Sequence, residues 1–179
     1  HAATSGYELL ENLLEWSRTQ TGTIKFEPQP FFIHKVFEIN KDLNLEVAKT
    51  KGITISISEI KAMVYADFDM VNFIVRNLLN NAIKFSNNNG KIELLAKRDD
   101  KMLIVKVKDD GIGMSPELIE NLFKIEKSVQ REGTANEKGT GLGLILCQEF
   151  VKKNGGSIWV DSQIDQGSSF HFSLPLSLS

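Results

Sequence analysis

Three polar side chains lie at helical spacing in the middle of the chain. Asn77, Asn81 and Lys84 are three and four residues apart, so on a helix they share one side. The apolar residues of this stretch form a separate broad stripe: Phe73, Ile74, Leu78, Leu79, Ala82, Ile83 and Phe85. Asparagine is a mediocre helix former, so two of them beside a lysine favour a polar site that faces a ligand. The alternative is a solvent-exposed side that happens to carry amides.

A carboxylate and two glycines form the second stretch with chemical potential. Asp109–Gly113 reads DDGIG and begins at the last residue of the alternating run MLIVKVKD. The alternation predicts a strand, which would deliver the Asp109 carboxylate to a tight turn. Glycines in that turn allow unusual backbone angles or a close approach to a ligand. The alternative is that Asp109 only caps the turn.

A glycine-rich loop forms the third stretch. Gly139–Gly143 reads GTGLG and opens the helical run LILCQEFVKKN. The start of a helix offers free amide donors and a favourable dipole to phosphate. The run is not a Walker A motif, because it lacks the Gly-Lys-Ser/Thr ending. It also misses the Rossmann spacing, because Leu144 stands where the third glycine belongs.

Helices and strands on either side must position these stretches. Apolar periodicity predicts a long helix over 31–51, a central helix capped by Asp67 or Asp69, a short helix from Pro116 through Phe123 and a helix over 142–153. Alternation predicts strands within 23–31, 53–58, 62–67, 157–162 and 168–176, and a hairpin over 91–110 that turns at Asp99-Asp100. We expect Pro28 and Pro30 to stop the first strand and to mark a sheet edge.

Composition bounds the class of protein. The chain has 179 residues and a net charge of −2, which suits one domain and gives no general argument for nucleic acid or membrane binding. The single cysteine, Cys147, excludes an internal disulfide and any multi-cysteine metal site. No apolar run approaches the roughly 18 residues of a membrane span.

The segments NLLNNAIKFS, DDGIGM and KGTGLGL, in this order and spacing, resemble the N, G1 and G2 boxes of histidine kinase ATP-binding domains. That family shares a superfamily with DNA gyrase, the mismatch-repair ATPases and a heat-shock chaperone. The resemblance runs from about Phe31 to the C-terminus. It implies an α/β fold of the Bergerat type, a two-layer sandwich with a mixed β-sheet and helices on one face.

The same resemblance divides the chain into two parts. Residues 22–179 correspond to the catalytic ATP-binding domain, with a lid at about 124–138. Residues 4–21 are similar to the end of the second helix of the kinase dimerisation hairpin. The alternative is an ordinary short N-terminal helix that packs on the domain's own core. In the family a phenylalanine-rich box precedes the lid; Leu122-Phe123 fits its start, but the usual second aromatic residue is absent.

The resemblance implies ATP and Mg²⁺ as ligands. Asp109 would accept a hydrogen bond from the adenine amino group, and Gly111 and Gly113 would let the backbone turn beneath the base. Phe85 either packs beside the base or belongs to the core. The phosphates would be cradled by the glycine-rich loop, which consists of Gly139, Thr140, Gly141, Leu142 and Gly143.

Three residues of the central helix correspond to the catalytic group of the family. Asn81 would bind Mg²⁺ through its amide oxygen, since magnesium takes oxygen ligands. Asn77 would face the same space, and Lys84 would meet a phosphate as a point charge. Four lid cations could also approach the phosphates, with no ground for choosing among them: Lys124, Lys127, Arg131 and Lys138.

The resemblance therefore implies the catalytic domain of a two-component sensor histidine kinase, which transfers the ATP γ-phosphate to a histidine on a dimerisation domain. None of His1, His34 and His171 fits the phosphoacceptor pattern. We expect the partners to be the protein's own dimerisation domain and, indirectly, a response regulator, with no nucleic acid. We also expect a homodimer in the full-length protein and a cytoplasmic domain of a membrane-bound sensor.

Two other functions remain open. An ATP-hydrolysing clamp of the same superfamily would carry a glutamate one turn before the magnesium asparagine, whereas this chain has Asn77, which cannot act as a general base. A non-enzymatic adaptor or anti-sigma-like module could keep the fold alone. Intact boxes argue against lost nucleotide binding in such a module.

Overall fold

The computed structural model describes residues 24–124, 133–134 and 141–177, together with Leu14 and Ser17, which are helical. The rest of the predicted N-terminal helix and most of the predicted lid lie outside the described residues. The elements in chain order are β1 (Pro28–Phe32), α1 (Ile33–Thr50), β2 (Thr54–Ile57), β3 (Met63–Asp67), α2 (Phe68–Phe85), β4 (Lys91–Asp99), β5 (Met102–Asp109), α3 (Pro116–Asn121), α4 (Gly143–Lys153), β6 (Ile158–Ser162) and β7 (Ser168–Pro175).

A five-stranded mixed sheet forms one layer of the fold, in the order β2-β4-β5-β7-β6. The β2–β4 pair is parallel, and the other neighbouring pairs are antiparallel. Alternate residues of the central strands point into the core and are fully or almost fully buried: Ile92, Leu94, Leu103, Val105, Val107, Phe170, Phe172 and Leu174. The helices α1, α2 and α4 form the second layer, which confirms the predicted α/β sandwich.

The central helix α2 is fixed at its start and along its apolar stripe. Asp67 is the N-cap, and its side chain accepts a hydrogen bond from the Met70 amide at 3.0 Å, which satisfies a donor that the helix leaves free. Half of the helix residues are buried: Met70, Val71, Phe73, Ile74, Val75, Leu78, Leu79, Ala82 and Ile83. This burial holds the opposite side, with Asn77 and Asn81, in a fixed orientation.

The first strand differs from the prediction. Pro28 and Pro30 lie inside β1 rather than stopping it. Strand β1 pairs antiparallel with β3 in a two-stranded sheet. The two prolines are two residues apart, so both occupy positions whose missing N–H would point away from β3. The predicted edge character is therefore right, and the predicted stop is wrong.

The smaller elements follow the sequence closely. The predicted hairpin forms, but its turn lies one residue later than predicted: Asp99 still pairs with Met102, and the turn consists of Asp100 and Lys101. Asp100 has a positive φ of 51°. Helix α3 ends at Asn121, two residues before the predicted end, and Ser115 caps its start by accepting from the Leu118 amide. Within the described residues, no helix is both long enough and apolar enough to cross a bilayer.

Candidate nucleotide-binding site

The carboxylate of Asp109 is held rigidly at the end of β5. Its Oδ1 accepts hydrogen bonds from the amides of Gly111 at 2.9 Å and Ser168 at 3.2 Å. Among the described residues no hydrogen bond reaches Oδ2. The residue is 5% exposed, and burial raises the pKa of its carboxyl from 3.8 to about 6, although both amides oppose the shift. The second oxygen is thus a preformed acceptor at a nearly dry position.

Glycines let the turn after Asp109 pass between two other segments. A β-carbon on Gly111 would collide with the carbonyl oxygen of Phe85 at the end of α2. Gly113 has a φ of +61°, and a β-carbon there would collide with the Gln163 carbonyl in the β6–β7 turn. The Ile112 amide donates to the Phe85 carbonyl at 3.1 Å. The turn therefore needs glycine at 111 and 113, as their spacing predicted.

Asn77 on α2 faces the start of α4. Its Nδ2 donates to the Phe73 carbonyl one turn earlier at 3.0 Å. Its Oδ1 lies against Gly143, the first residue of α4, where a β-carbon would collide with it. The structure thereby brings the predicted N and G2 stretches into contact. Gly141, with a φ of +73°, and Leu142 lead into α4, whereas Gly139 and Thr140 lie outside the described residues.

The remaining predicted site residues lie at the C-terminal end of α2. Asn81, Lys84 and Phe85 are each half-buried. The Lys84 ammonium lies 5.0 Å from the centroid of the Phe85 ring, a cation–π distance. Phe85 is therefore not a fully buried core side chain. This end of the helix adjoins the Asp109 turn through the Phe85 carbonyl. The side chains of α2 and the turn after Asp109 are therefore neighbours.

Sequence reasoning missed several residues that shape this site. Ser168 was predicted only as the first residue of a strand, and Gly167 was not singled out. The Ser168 amide nevertheless holds Asp109, and a β-carbon on Gly167 would collide with the Asp109 carbonyl. Lys51 and Thr134 meet the last turn of α2. No local pattern marks such contacts, because each joins segments far apart in the sequence.

Groups of different charge and hydrogen-bonding character follow one another along α2. A buried acceptor carboxylate lies at one end, amide oxygens and a lysine follow along the helix, and the start of α4 lies opposite Asn77. A planar polar ring would suit the carboxylate, and anionic groups would suit the lysine and the start of α4.

Comparison with known proteins identifies the family. Residues 66–178 match the family model for histidine kinase-, DNA gyrase B- and HSP90-like ATPases. The adaptive-response sensory kinase SasA of Rippkaea orientalis is 33% identical over 171 residues, which cover 94% of this chain and 43% of SasA. The chain thus spans less than half the length of this relative.

Solved structures agree with the family match. The crystal structure of full-length ShkA in complex with AMPPNP matches 96% of this chain and 36% of ShkA, with a TM-score of 0.81 and 25% identity. The catalytic domain of histidine kinase ThkA in a nucleotide-free form matches 83% of this chain and 95% of that domain, with a TM-score of 0.71 and 26% identity. The chain therefore belongs to the histidine kinase-, DNA gyrase B- and HSP90-like ATPase family, and it is homologous to the catalytic domains of sensor histidine kinases.

Proposed function

We propose that this chain binds ATP with Mg²⁺ and transfers the γ-phosphate to a histidine on the dimerisation domain of a sensor histidine kinase. The observation that carries the proposal is the Asp109 carboxylate, which two backbone amides fix through Oδ1 while Oδ2 accepts no hydrogen bond from the described residues. ShkA, whose structure is similar to this chain, was solved with AMPPNP, which supports an adenine nucleotide as the ligand.

Asp109 gives the site its preference for adenine. The exocyclic amino group of adenine donates a hydrogen bond, which the Oδ2 of Asp109 accepts. Guanine presents a carbonyl oxygen at the same position of the ring, so two acceptors would face each other in a buried site without a proton between them. Gly111 and Gly113 keep the turn free of side chains that would displace the carboxylate.

The phosphates lie along the second half of α2 and the loop before α4. Lys84 supplies a positive charge, and the amides of 139–143 supply donors at the start of an 11-residue helix, where the helix dipole favours anions. The contact between Asn77 and Gly143 sets the spacing between these two groups. Asn77, Asn81 and Lys84 are thus the proposed catalytic residues.

The donor set suits Mg²⁺ held jointly by protein and nucleotide. Among the described residues, no group of three or more His, Cys, Asp or Glu side chains could hold a metal ion. Magnesium keeps several waters and binds through one or two protein oxygens plus phosphate oxygens, which fits the half-buried amide of Asn81. The ion would supply charge neutralisation at the transferred phosphate.

Hydrolysis by this chain alone should be slow. Activation of water needs a group that accepts a proton near neutral pH, and Asn77 stands where the hydrolases of the superfamily carry a glutamate. Asp69, the acidic residue in the first turn of α2, is two turns away from Asn77. The kinase is therefore favoured over the ATP-hydrolysing clamp as the mechanistic class.

The remaining features of the full-length protein follow from this function. We assign residues 22–179 to the catalytic domain and residues 4–21 to the end of the second dimerisation helix. The dimerisation domain of a homodimeric, cytoplasmic kinase portion would present the phosphoacceptor histidine. A response regulator would then receive the phosphate from that histidine.

A phosphotransfer assay tests the proposal. The chain is incubated with radiolabelled ATP, Mg²⁺ and the dimerisation hairpin of its parent sensor, and protein-bound phosphate and free phosphate are followed separately. We expect label on the hairpin histidine, little free phosphate without the hairpin, and no label with Asn81→Ala. Steady phosphate release by the isolated chain at the rate of a dedicated ATPase, lost on Asn81→Ala, would establish a hydrolase instead.

A further inference from the structure

The side chain of Lys51 binds main-chain carbonyls at the C-terminal end of α2. Its Nζ donates to the carbonyl oxygens of Ile83 at 2.8 Å and Lys84 at 3.1 Å. The last carbonyls of a helix lack hydrogen-bond donors within the helix and carry the negative end of its dipole. The Lys51 ammonium supplies both the donors and a compensating positive charge. The carbonyl of Lys51 accepts from the Asn89 amide at 2.8 Å, which fixes the backbone from which the lysine reaches across.

Thr134 binds the same end of α2. It follows this helix in the sequence, whereas Lys51 precedes it. Its amide donates to the Lys84 carbonyl at 3.0 Å. Its hydroxyl lies 2.8 Å from the Ser86 carbonyl, and the Lys51 ammonium donates to that hydroxyl at 2.6 Å. A hydroxyl has one proton to donate and lone pairs to accept. Thr134 can therefore give its proton to Ser86 while it accepts from Lys51.

These contacts place a lid residue beside the nucleotide site. Gly133 and Thr134 are, with Lys124, the described residues of the predicted lid at 124–138, and Lys84 and Phe85 are residues of the proposed site. We propose that Lys51 is a positioning residue: its ammonium joins Thr134 to the last turn of α2 and so fixes this point of the lid next to Lys84 and Phe85. The inference rests on the proposed function of the site.

The contacts of Lys51 predict how its loss should affect nucleotide binding. Lys51 reaches main-chain oxygens and a hydroxyl rather than the Asp109 carboxylate, so its loss should weaken binding of ATP and ADP without changing the preference for adenine over guanine. The hydrogen bond between the Lys51 ammonium and the Thr134 hydroxyl is what joins Thr134 to this lysine. Removing either partner should therefore remove most of the effect that the other has on nucleotide binding. A lysine with a merely general stabilising role would show no such coupling.

The test is a titration of the 179-residue chain with ATP and Mg²⁺ for six variants. Lys51→Met and Thr134→Val remove the donor and the hydroxyl at similar side-chain size, and the double variant closes a mutant cycle. Lys51→Arg and Thr134→Ser keep the charge and the hydroxyl. Lys49→Met is the matched control, because Lys49 lies on the exposed side of α1 and its ammonium pairs with Glu46 alone among the described residues.

We expect Lys51→Met and Thr134→Val each to weaken ATP binding by about tenfold, the size expected from loss of a hydrogen bond to a charged group. The double variant should bind ATP at most about twofold more weakly than whichever single variant binds it less tightly. Thr134→Ser should restore most of the affinity, and Lys49→Met should bind as the unchanged chain does. Thr134 is exposed, so Thr134→Val should fold even if Lys51→Met does not.

Two results would overturn the inference. If Thr134→Val and Lys51→Met bind ATP normally, the contact does not position the site. If their effects multiply in the double variant, the two residues act independently. Failure of the unchanged chain to bind ATP would instead refute the proposed function, and the inference with it.

Discussion

The side-chain oxygen of Asn77 lies so close to the backbone of Gly143 that a β-carbon on Gly143 would collide with it. Asn77 cannot easily turn away, because its Nδ2 is bound to the Phe73 carbonyl at 3.0 Å. The contact joins the middle of α2 to the first residue of α4. The separation between the proposed phosphate-binding elements therefore depends on glycine at position 143.

Replacement of Gly143 by alanine should weaken ATP binding by about tenfold, because the added methyl must displace either Asn77 or the start of α4. Alanine has the higher helix propensity, so a loss of affinity would not come from poorer helix formation. Calorimetric titration with ATP and Mg²⁺ measures the effect. In an Asn77→Ala background Gly143→Ala should cost little more, and unchanged affinity of the single variant would refute the role of this contact.

Asp109→Asn should leave the domain folded and at least as stable at pH 7.5. Burial raises the pKa of Asp109 from 3.8 to about 6, so keeping the charge at neutral pH lowers the free energy of unfolding by roughly 3 kcal/mol. The neutral amide removes that cost, and its oxygen can still accept from Gly111 and Ser168. Thermal unfolding measures the difference between the two proteins.

The size of this effect depends on pH. Between about pH 4 and 6 the folded protein binds more protons at Asp109 than the unfolded chain does, so the contribution of Asp109 to stability falls as pH rises through this range. The advantage of Asp109→Asn should therefore be full above pH 6 and shrink towards pH 4. A much lower unfolding temperature for the variant at pH 7.5 would show that the charge itself supports the fold.

Nucleotide affinity should fall as the pH drops below about 6. The Gly111 and Ser168 amides occupy Oδ1, so the ionised carboxylate of Asp109 offers Oδ2 as the acceptor. The raised pKa brings protonation of the carboxylate into this pH range. ADP titrations from pH 8 to pH 5 measure the dependence, and the Asp109→Asn chain serves as the control for titration of the nucleotide phosphates. An identical pH profile in both chains would contradict this assignment of the acceptor.

Local patterns predicted the elements that carry the site. The apolar stripe, with a cap at Asp67 or Asp69, predicted α2, and the alternation before Asp109 predicted β5, because burial on one face imposes these periods directly. The prediction that the prolines of β1 stop the strand was wrong, since the sequence alone does not show on which side of an edge strand its partner lies. The short run from Pro116 predicted α3 with an error of two residues at its end.

Contacts between distant segments could not be predicted in the same way. Ser168 reaches Asp109 across 59 residues, and Lys51 reaches Thr134 across 83. A lysine after a helix and a threonine in a polar stretch resemble ordinary solvent-exposed residues until the fold brings them together. Such hydrogen bonds have no period in the sequence, so they emerge only from the packing of α1, α2 and the sheet.

The most direct measurement of the central claim compares ATP and GTP binding to the unchanged chain by calorimetry in the presence of Mg²⁺. A buried acceptor at Asp109 predicts binding of ATP and at least about tenfold weaker binding of GTP, since an unpaired acceptor in a dry site costs more than 1 kcal/mol. Asp109→Asn should lose most of this preference. Equal affinity for ATP and GTP, or a preference unchanged by Asp109→Asn, would contradict the assignment of an adenine-specific kinase site.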